Sequence, residues 1–79
     1  MVYVYVLQSE LDADRYYVGV TDDPARRLIE QNSGKSIHTN RFKPWKLIVF
    51  TGFADASKAS AFESYLKSGS GRAFAKKHF

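Results

Sequence analysis

Residues 15–28 read RYYVGVTDDPARRL and change periodicity partway through. Tyr16, Tyr17, Val18 and Val20 are the aromatic and β-branched types that suit a pleated strand. Asp22 or Asp23 followed by Pro24 then opens a helix, because a carboxylate caps free N–H groups and proline's fixed φ fits the first turn. The stretch is therefore a strand that feeds directly into a helix. Upstream, at hairpin distance across the polar turn SELDAD, residues 2–7 read VYVYVL. Both sets of this alternation, Val2, Val4, Val6 and Tyr3, Tyr5, Leu7, are apolar or aromatic, which suits a strand covered on both faces. Pairing the two strands with Tyr5 opposite Tyr17 sets Leu7 against Arg15 and Tyr3 against Gly19, all on one side of the sheet. Gly19, with no side chain in mid-strand, marks a bulge or a place where another backbone comes close, and close approach is the preferred reading.

Downstream, the helix runs to Gly34, and its wheel turns Ala25, Leu28, Ile29 and Asn32 inward while Arg27 and Gln31 share an outer flank. Residues 35–46, KSIHTNRFKPWK, have no period and read as a basic loop, with Trp45 after Pro44 as its core anchor. KLIVFTGF (residues 46–53) is a third strand. DASKASAFESYLKSG (residues 55–69) is a second helix with Asp55 or Ser57 near its start and Gly69 at its end. SGRAFAKKHF (residues 70–79) closes as a short basic helix. The order is β-β-α-β-α-α, an α+β arrangement with no internal repeat or linker.

The chain has 79 residues, enough for one domain over residues 1–79 that buries roughly 60% of the surface its unfolded form exposes. Trp45, five tyrosines and six phenylalanines can fill a modest core with large rings. Without cysteine, disulfides, thiolate metal sites and cysteine nucleophiles are excluded. No apolar run approaches the ~20 residues of a membrane span, and MVYVYVLQ lacks the basic start and cleavage site of a signal peptide. A cytoplasmic protein with no membrane partner is expected. The net charge of +4 is unevenly spread: residues 1–23 hold five acids and one base, residues 24–79 eleven bases and three acids. The basic part is the expected contact for a polyanion.

One acid stands out. The second helix carries an inward stripe of Ala59, Phe62 and Leu66 and a polar arc of Lys58, Ser60, Ser64 and Lys67, yet Glu63 projects beside the stripe. A carboxylate there is either held in a salt bridge at the edge of the core or employed in chemistry.

YVYVL, then YYVGVT about a dozen residues later, then ARRL, and finally a helix bearing Glu63 resemble the GIY-YIG nuclease family over almost the whole chain. Tyr3-Val4-Tyr5 stands in place of the first triplet and Tyr17-Val18-Gly19 matches the second, while RFKPWKLIVF and SGSGRAF resemble the small stand-alone bacterial members. The resemblance implies a three-stranded antiparallel sheet flanked by helices and metal-dependent hydrolysis of DNA phosphodiesters. Its catalytic set maps onto Tyr5, Tyr17, Arg27 and Glu63, with Glu63 the metal ligand. Two departures are visible: Gln31 stands where many relatives place a histidine one turn after the arginine, and Tyr3 replaces the first glycine.

The implied chemistry gives each group a task. Phosphodiester hydrolysis needs an activated water, charge neutralisation at phosphorus and help for the leaving 3′ oxygen. Tyr5 is expected as the base that activates or positions water, its phenol depressed by Arg27 and the metal. If the two tyrosines were only cross-strand packing partners, neither would have that task. Arg27 offers a fork of donors to phosphate. Glu63 as sole protein ligand fits Mg²⁺, or Mn²⁺, which keeps most of its waters. Gly19, Gln31 and His38 are candidates for positioning substrate, Gln31 by hydrogen bonding and His38 as a substitute for the missing histidine, if it is not simply exposed.

DNA is the expected partner, duplex, branched or single-stranded. Lys35, Arg41, Lys43 and Lys46 from the loop and Arg72, Lys76 and Lys77 from the tail supply the contact, with Phe42 and Trp45 available for stacking. No sequence-reading helix is visible, so DNA shape rather than sequence is the expected determinant, in repair or processing. A non-catalytic nucleic-acid-binding module that kept the fold is the alternative, supported by Gln31.

Overall fold

A computed structural model describes residues 1–34 and 37–79. The central strand, β1 (Val2–Ser9), pairs antiparallel with β2 (Tyr16–Thr21) on one side and β3 (Trp45–Phe53) on the other. Around this sheet lie α1 (Pro24–Asn32), α3 (Ala56–Lys67) and α4 (Gly69–His78), in the order expected. The stretch read as an irregular basic loop contains one helical turn, α2 (Ile37–Asn40), too short for any hydrophobic period to announce it.

The β1–β2 register differs from the expected one by two residues: Tyr5 lies opposite Gly19, Leu7 opposite Tyr17 and Tyr3 opposite Thr21. A shift of two keeps every side chain on its face, so Tyr3, Tyr5, Tyr17 and Gly19 still share one side. Its cause is steric. A Cβ on Gly19 would lie 2.4 Å from Tyr5 Oη and 2.6 Å from Cζ, so the ring occupies the space that a side chain would have filled. Gly19 therefore sits in a regular pairing without a bulge, and the group lying against it is the Tyr5 ring.

Side chains alternate along β1, which gives the sheet two different faces. Val4 and Val6 pack with Ala59 and Leu66, joined by Phe62 and Phe74, so α3 and α4 cover this valine face. Tyr5, Leu7 and Trp45 pack with Leu28, Phe42 and Leu47 on the other, tyrosine face, under α1. On β3 the pairing steps from Val6–Val49 to Leu7–Leu47, a bulge at Ile48 that lets Ile48 join the valine cluster while Leu47 and Trp45 stay on the tyrosine side.

Helix ends follow the sequence with one change. Asp23 caps α1 by accepting from Arg26 N at 3.1 Å, and Asp55 caps α3 by accepting from Ser57 N at 2.8 Å. Gly69, expected to end the second helix, is instead the first residue of α4. Ser68 alone separates the two helices, its N–H bonded to Tyr65 O and its hydroxyl accepting from Gly71 N. Gly71 makes the crossing possible: a Cβ there would fall 1.7 Å from the Tyr65 carbonyl oxygen.

Candidate active site

Tyr5 is the centre of the tyrosine face and is only 2% exposed. Its ring leans over Gly19, and its centroid lies 6.1 Å from that of Tyr17, the diagonal neighbour across the β1–β2 pair. Tyr17 in turn meets the edge of Trp45 at 6.4 Å, and Trp45 is buried with its indole N–H donating to Thr39 O at 2.9 Å. The anchor reading of Trp45 is thus the observed one, and the ring is not available to stack on bases. Phe42 is also engaged within the fold, half-buried beneath the Arg15 guanidinium at 4.7 Å and that of Arg41 at 5.8 Å.

The helix above this surface is rotated from the apolar wheel. Ile29 is 70% exposed, whereas Gln31 is buried at 5%, and Leu28 packs into the tyrosine cluster. The wheel predicts the reverse for Ile29 and Gln31 because it weighs apolar area alone. Turning Ile29 outward forfeits at most about 2–3 kcal/mol of burial, and the inward arc then offers polar neighbours to the buried Tyr5 phenol. Asn32 does lie inward, as expected, and fastens the helix end to β3 by donating to Trp45 O at 2.9 Å and accepting from Trp45 N at 2.5 Å.

Four expected site residues therefore meet, since Tyr17, Arg27 and Gln31 all act on the Tyr5 phenol. Burial pushes that phenol up to about 12, and Tyr17 adds to the rise; Arg27 and Gln31 draw it down without offsetting the burial. The expected depression of Tyr5 by Arg27 is thus present but outweighed. Tyr5 is therefore a neutral phenol at pH 7. Gln31 is itself fixed, its Oε1 accepting a hydrogen bond from the Thr39 hydroxyl in α2. Thr39, 3% exposed, carried no sequence signal beyond being a small polar residue in a basic stretch.

Arg27 is half-buried. Its Nε is enclosed without a hydrogen-bond partner, since Glu30 Oε1 at 3.5 Å is an ion-pair contact lacking hydrogen-bond alignment. Neighbouring Arg26 pairs with Asp22 at 2.5 Å in the open, and this hydrogen bond and charge hold the Asp22 carboxyl below its usual range.

Glu63 stands apart from this group. It lies on α3, whose Ala59, Phe62 and Leu66 pack on the valine face, and its carboxylate is 3.4 Å from Lys67 Nζ, one helical turn on. The basic residues are also divided. Arg41, Lys43 and Lys46 are exposed around the start of β3, while Arg72, Lys76 and Lys77 are exposed on α4, which covers the valine face. Arg72 and Lys76 join Arg15 and Lys67 around a cavity of about 790 Å³ floored by Val6 and Val18. Lys35 and the His38 side chain lie outside the described residues.

Fold and site together define a small α+β domain with a buried phenol, a second phenol, an arginine and an amide gathered on one sheet face. The chain belongs to the GIY-YIG family: the model of the GIY-YIG catalytic domain matches residues 1–77. Among its relatives, a UPF0213 protein of Streptococcus pneumoniae is 44% identical over 66 residues, covering 82% of this chain and 65% of that protein. A structure-specific endonuclease subunit SLX1 of Chaetomium globosum is 38% identical over 66 residues, 76% of this chain and 20% of its own length. The corresponding slx1 subunit of Schizosaccharomyces japonicus is 44% identical over 64 residues, 75% of this chain and 23% of its own. The chain thus spans about a fifth of the fungal proteins and just under two thirds of the streptococcal one. Among the described residues, no helix is long and apolar enough to cross a membrane.

Proposed function

We propose that the protein is a divalent-metal-dependent endonuclease that hydrolyses DNA phosphodiesters and selects DNA by structure rather than sequence, acting in the cytoplasm in repair or processing. The observation that carries this reading is the convergence of Arg27, Gln31 and Tyr17 on Tyr5. Arg27 directs its guanidinium to the phosphate oxygens, where its charge offsets the charge that builds up at phosphorus. Tyr5, neutral and oriented by Gln31, holds the attacking water, and half-buried Tyr17 stands beside it. Selection by structure follows the two relatives named as structure-specific endonuclease subunits.

Among the described residues no group of three or more histidines, cysteines or acids gathers in one place. Glu63, the acid that the family resemblance maps to the metal, is three-quarters buried and 3.4 Å from exposed Lys67, and it is the residue that would hold Mg²⁺ or Mn²⁺. When bound there, such a cation neutralises phosphate charge and acidifies water.

A second reading, a nucleic-acid-binding module without chemistry, is favoured by Gln31, an amide that cannot take a proton, beside a phenol raised to about 12. A panel of end-labelled flap, nicked, single-stranded and plain duplex DNAs, incubated with Mg²⁺, Mn²⁺ or chelator, separates the two. The nuclease cuts a branched or nicked member only with metal, and Glu63→Gln lowers that rate by several orders of magnitude while binding survives. Binding without cleavage on every substrate establishes the module instead. Parent-like cleavage by Glu63→Gln removes Glu63 from the metal site and leaves it in its salt bridge.

A further inference from the structure

The hydrogen bond between Thr39 and Gln31 has a direction. Thr39 uses its hydroxyl proton toward Gln31 Oε1, which turns the Nε2 end of the amide to the side facing Tyr5. An amide N–H turned toward the Tyr5 oxygen leaves the phenol proton free to point along the sheet toward Tyr17, whose ring centroid lies 6.1 Å away. Were the amide reversed, Oε1 would face Tyr5 and take that proton, turning Tyr5 away from Tyr17. Both Thr39 and Gln31 are nearly without solvent contact, so water offers the amide little help in choosing. Thr39 is also held from its other side, since its carbonyl accepts the Trp45 indole N–H at 2.9 Å, which ties α2 to the floor of the same cluster.

We propose that Thr39 is a positioning residue that sets the polarity of the chain Thr39–Gln31–Tyr5–Tyr17, so that the open end of the chain, at Tyr17, presents a hydroxyl toward the reacting phosphate. The role in cleavage rests on the nuclease reading; the orientation of the amide does not. Gln31 thereby replaces a titratable side chain with a fixed dipole, and the site's proton order is set by α2 rather than by solution pH.

The test has two arms. Thr39→Val keeps the shape of the side chain and removes the hydroxyl, while Thr39→Ser restores it. Gln8 and Gln31 are the only glutamines in the chain, so the Gln31 side-chain NH₂ can be followed by NMR. In the parent one Gln31 amide proton exchanges slowly because the amide is held in place and turned toward buried Tyr5; in Thr39→Val that protection is lost, and Thr39→Ser recovers it. On the DNA that the parent cuts, Thr39→Val lowers kcat on the order of ten- to a hundredfold with KM little changed, as expected for a misplaced reacting group, and Thr39→Ser restores it. Unchanged Gln31 protection in a folded Thr39→Val protein overturns the proposal. So does loss of protection with kcat unaltered, which would leave the bond structural. If the parent cuts no DNA, the nuclease reading falls, and the NMR arm alone decides whether Thr39 orients the amide. If Thr39→Val does not fold, Gln31→Met, which removes the amide but keeps its length, must abolish the slow exchange and lower kcat by a similar factor; parent-like kcat in that variant overturns the proposal.

Discussion

The two faces of the sheet come from the same strand, one residue out of step, and they have been built on opposite principles. On the valine face, Val4 and Val6 meet Ala59, Leu66, Phe62 and Phe74, apolar contacts whose worth scales with the area removed from water. On the tyrosine face, Tyr5 and Leu7 are buried as deeply, but Tyr5 brings a hydroxyl with it. That hydroxyl has to be answered, and Gln31, Tyr17 and Arg27 answer it at the cost of leaving Ile29 in water. One face is a core in the usual sense, where shape and volume decide. The other is a place where polar groups are held out of water in a fixed order, which is the condition for chemistry at a phosphate. The contrast predicts that substitutions on the two sides should fail in different ways.

Of the substitutions that contrast the two faces, Arg27→Ala should have the largest effect. Its guanidinium is half-buried but has no aligned hydrogen bond from Nε, so removing it takes away little that holds α1 in place. Cleavage should fall by about 10²- to 10³-fold or more, the scale of losing a donor to transition-state charge, while the cooperative melting transition remains. A protein that no longer melts cooperatively would show that Arg27 is a structural member of the tyrosine face, and the division between the faces would lose its meaning.

Leu66→Ala is the reverse case. Leu66 is 2% exposed in the valine cluster, and truncation there should cost about 2–5 kcal/mol, measured by urea unfolding. Under conditions where the variant remains folded, its kcat should equal that of the parent. A large loss of kcat in folded Leu66→Ala would sharpen the picture differently, by showing that the position of α3, and with it Glu63, is transmitted to the site.

The same contrast explains what could be read from the sequence. The valine face was legible, because its residues follow the periods of strand and helix and their burial follows from area: Val4, Val6, Ala59, Phe62 and Leu66 all lie inward as the patterns indicate. The element order and the caps Asp23 and Asp55 were legible for a related reason, since capping is local chemistry. The tyrosine face was legible in its membership and not in its geometry. Tyr5, Tyr17, Arg27 and Gln31 could be named from a family resemblance, yet the hydrophobic wheel put Arg27 and Gln31 on the outside. A rule that counts apolar area has no means of turning a glutamine inward. The register of β1 on β2 was missed for want of the steric fact that Tyr5 needs the empty place above Gly19. Thr39 lay beyond reach altogether, because its partner is eight residues away on another helix and nothing in the spacing links them.

The smallest expected effect is also the one that measures the tyrosine face directly, through the stability of Tyr5→Phe at alkaline pH. Below about pH 10 the phenol is protonated in both the folded and the unfolded chain, and the parent has the full benefit of its buried hydroxyl. Between pH 10, where an exposed tyrosine ionises, and about 12, where Tyr5 does so in the fold, the folded chain holds a proton that the unfolded chain has released. Stability must therefore fall with rising pH across that window, by about 2–3 kcal/mol if the phenol titrates near 12. Phenylalanine has no such proton. At pH 8 the variant should be less stable than the parent by about 1–3 kcal/mol, since Gln31 loses its acceptor in a dry place, but its melting temperature should decline less steeply above pH 10. Every other titratable group is common to both proteins, so the difference between the two curves isolates Tyr5. Curves that stay parallel up to pH 12 would mean that Tyr5 ionises at its ordinary value. The tyrosine face would then be open to water, and the fixed order of its polar groups would have no barrier to preserve it.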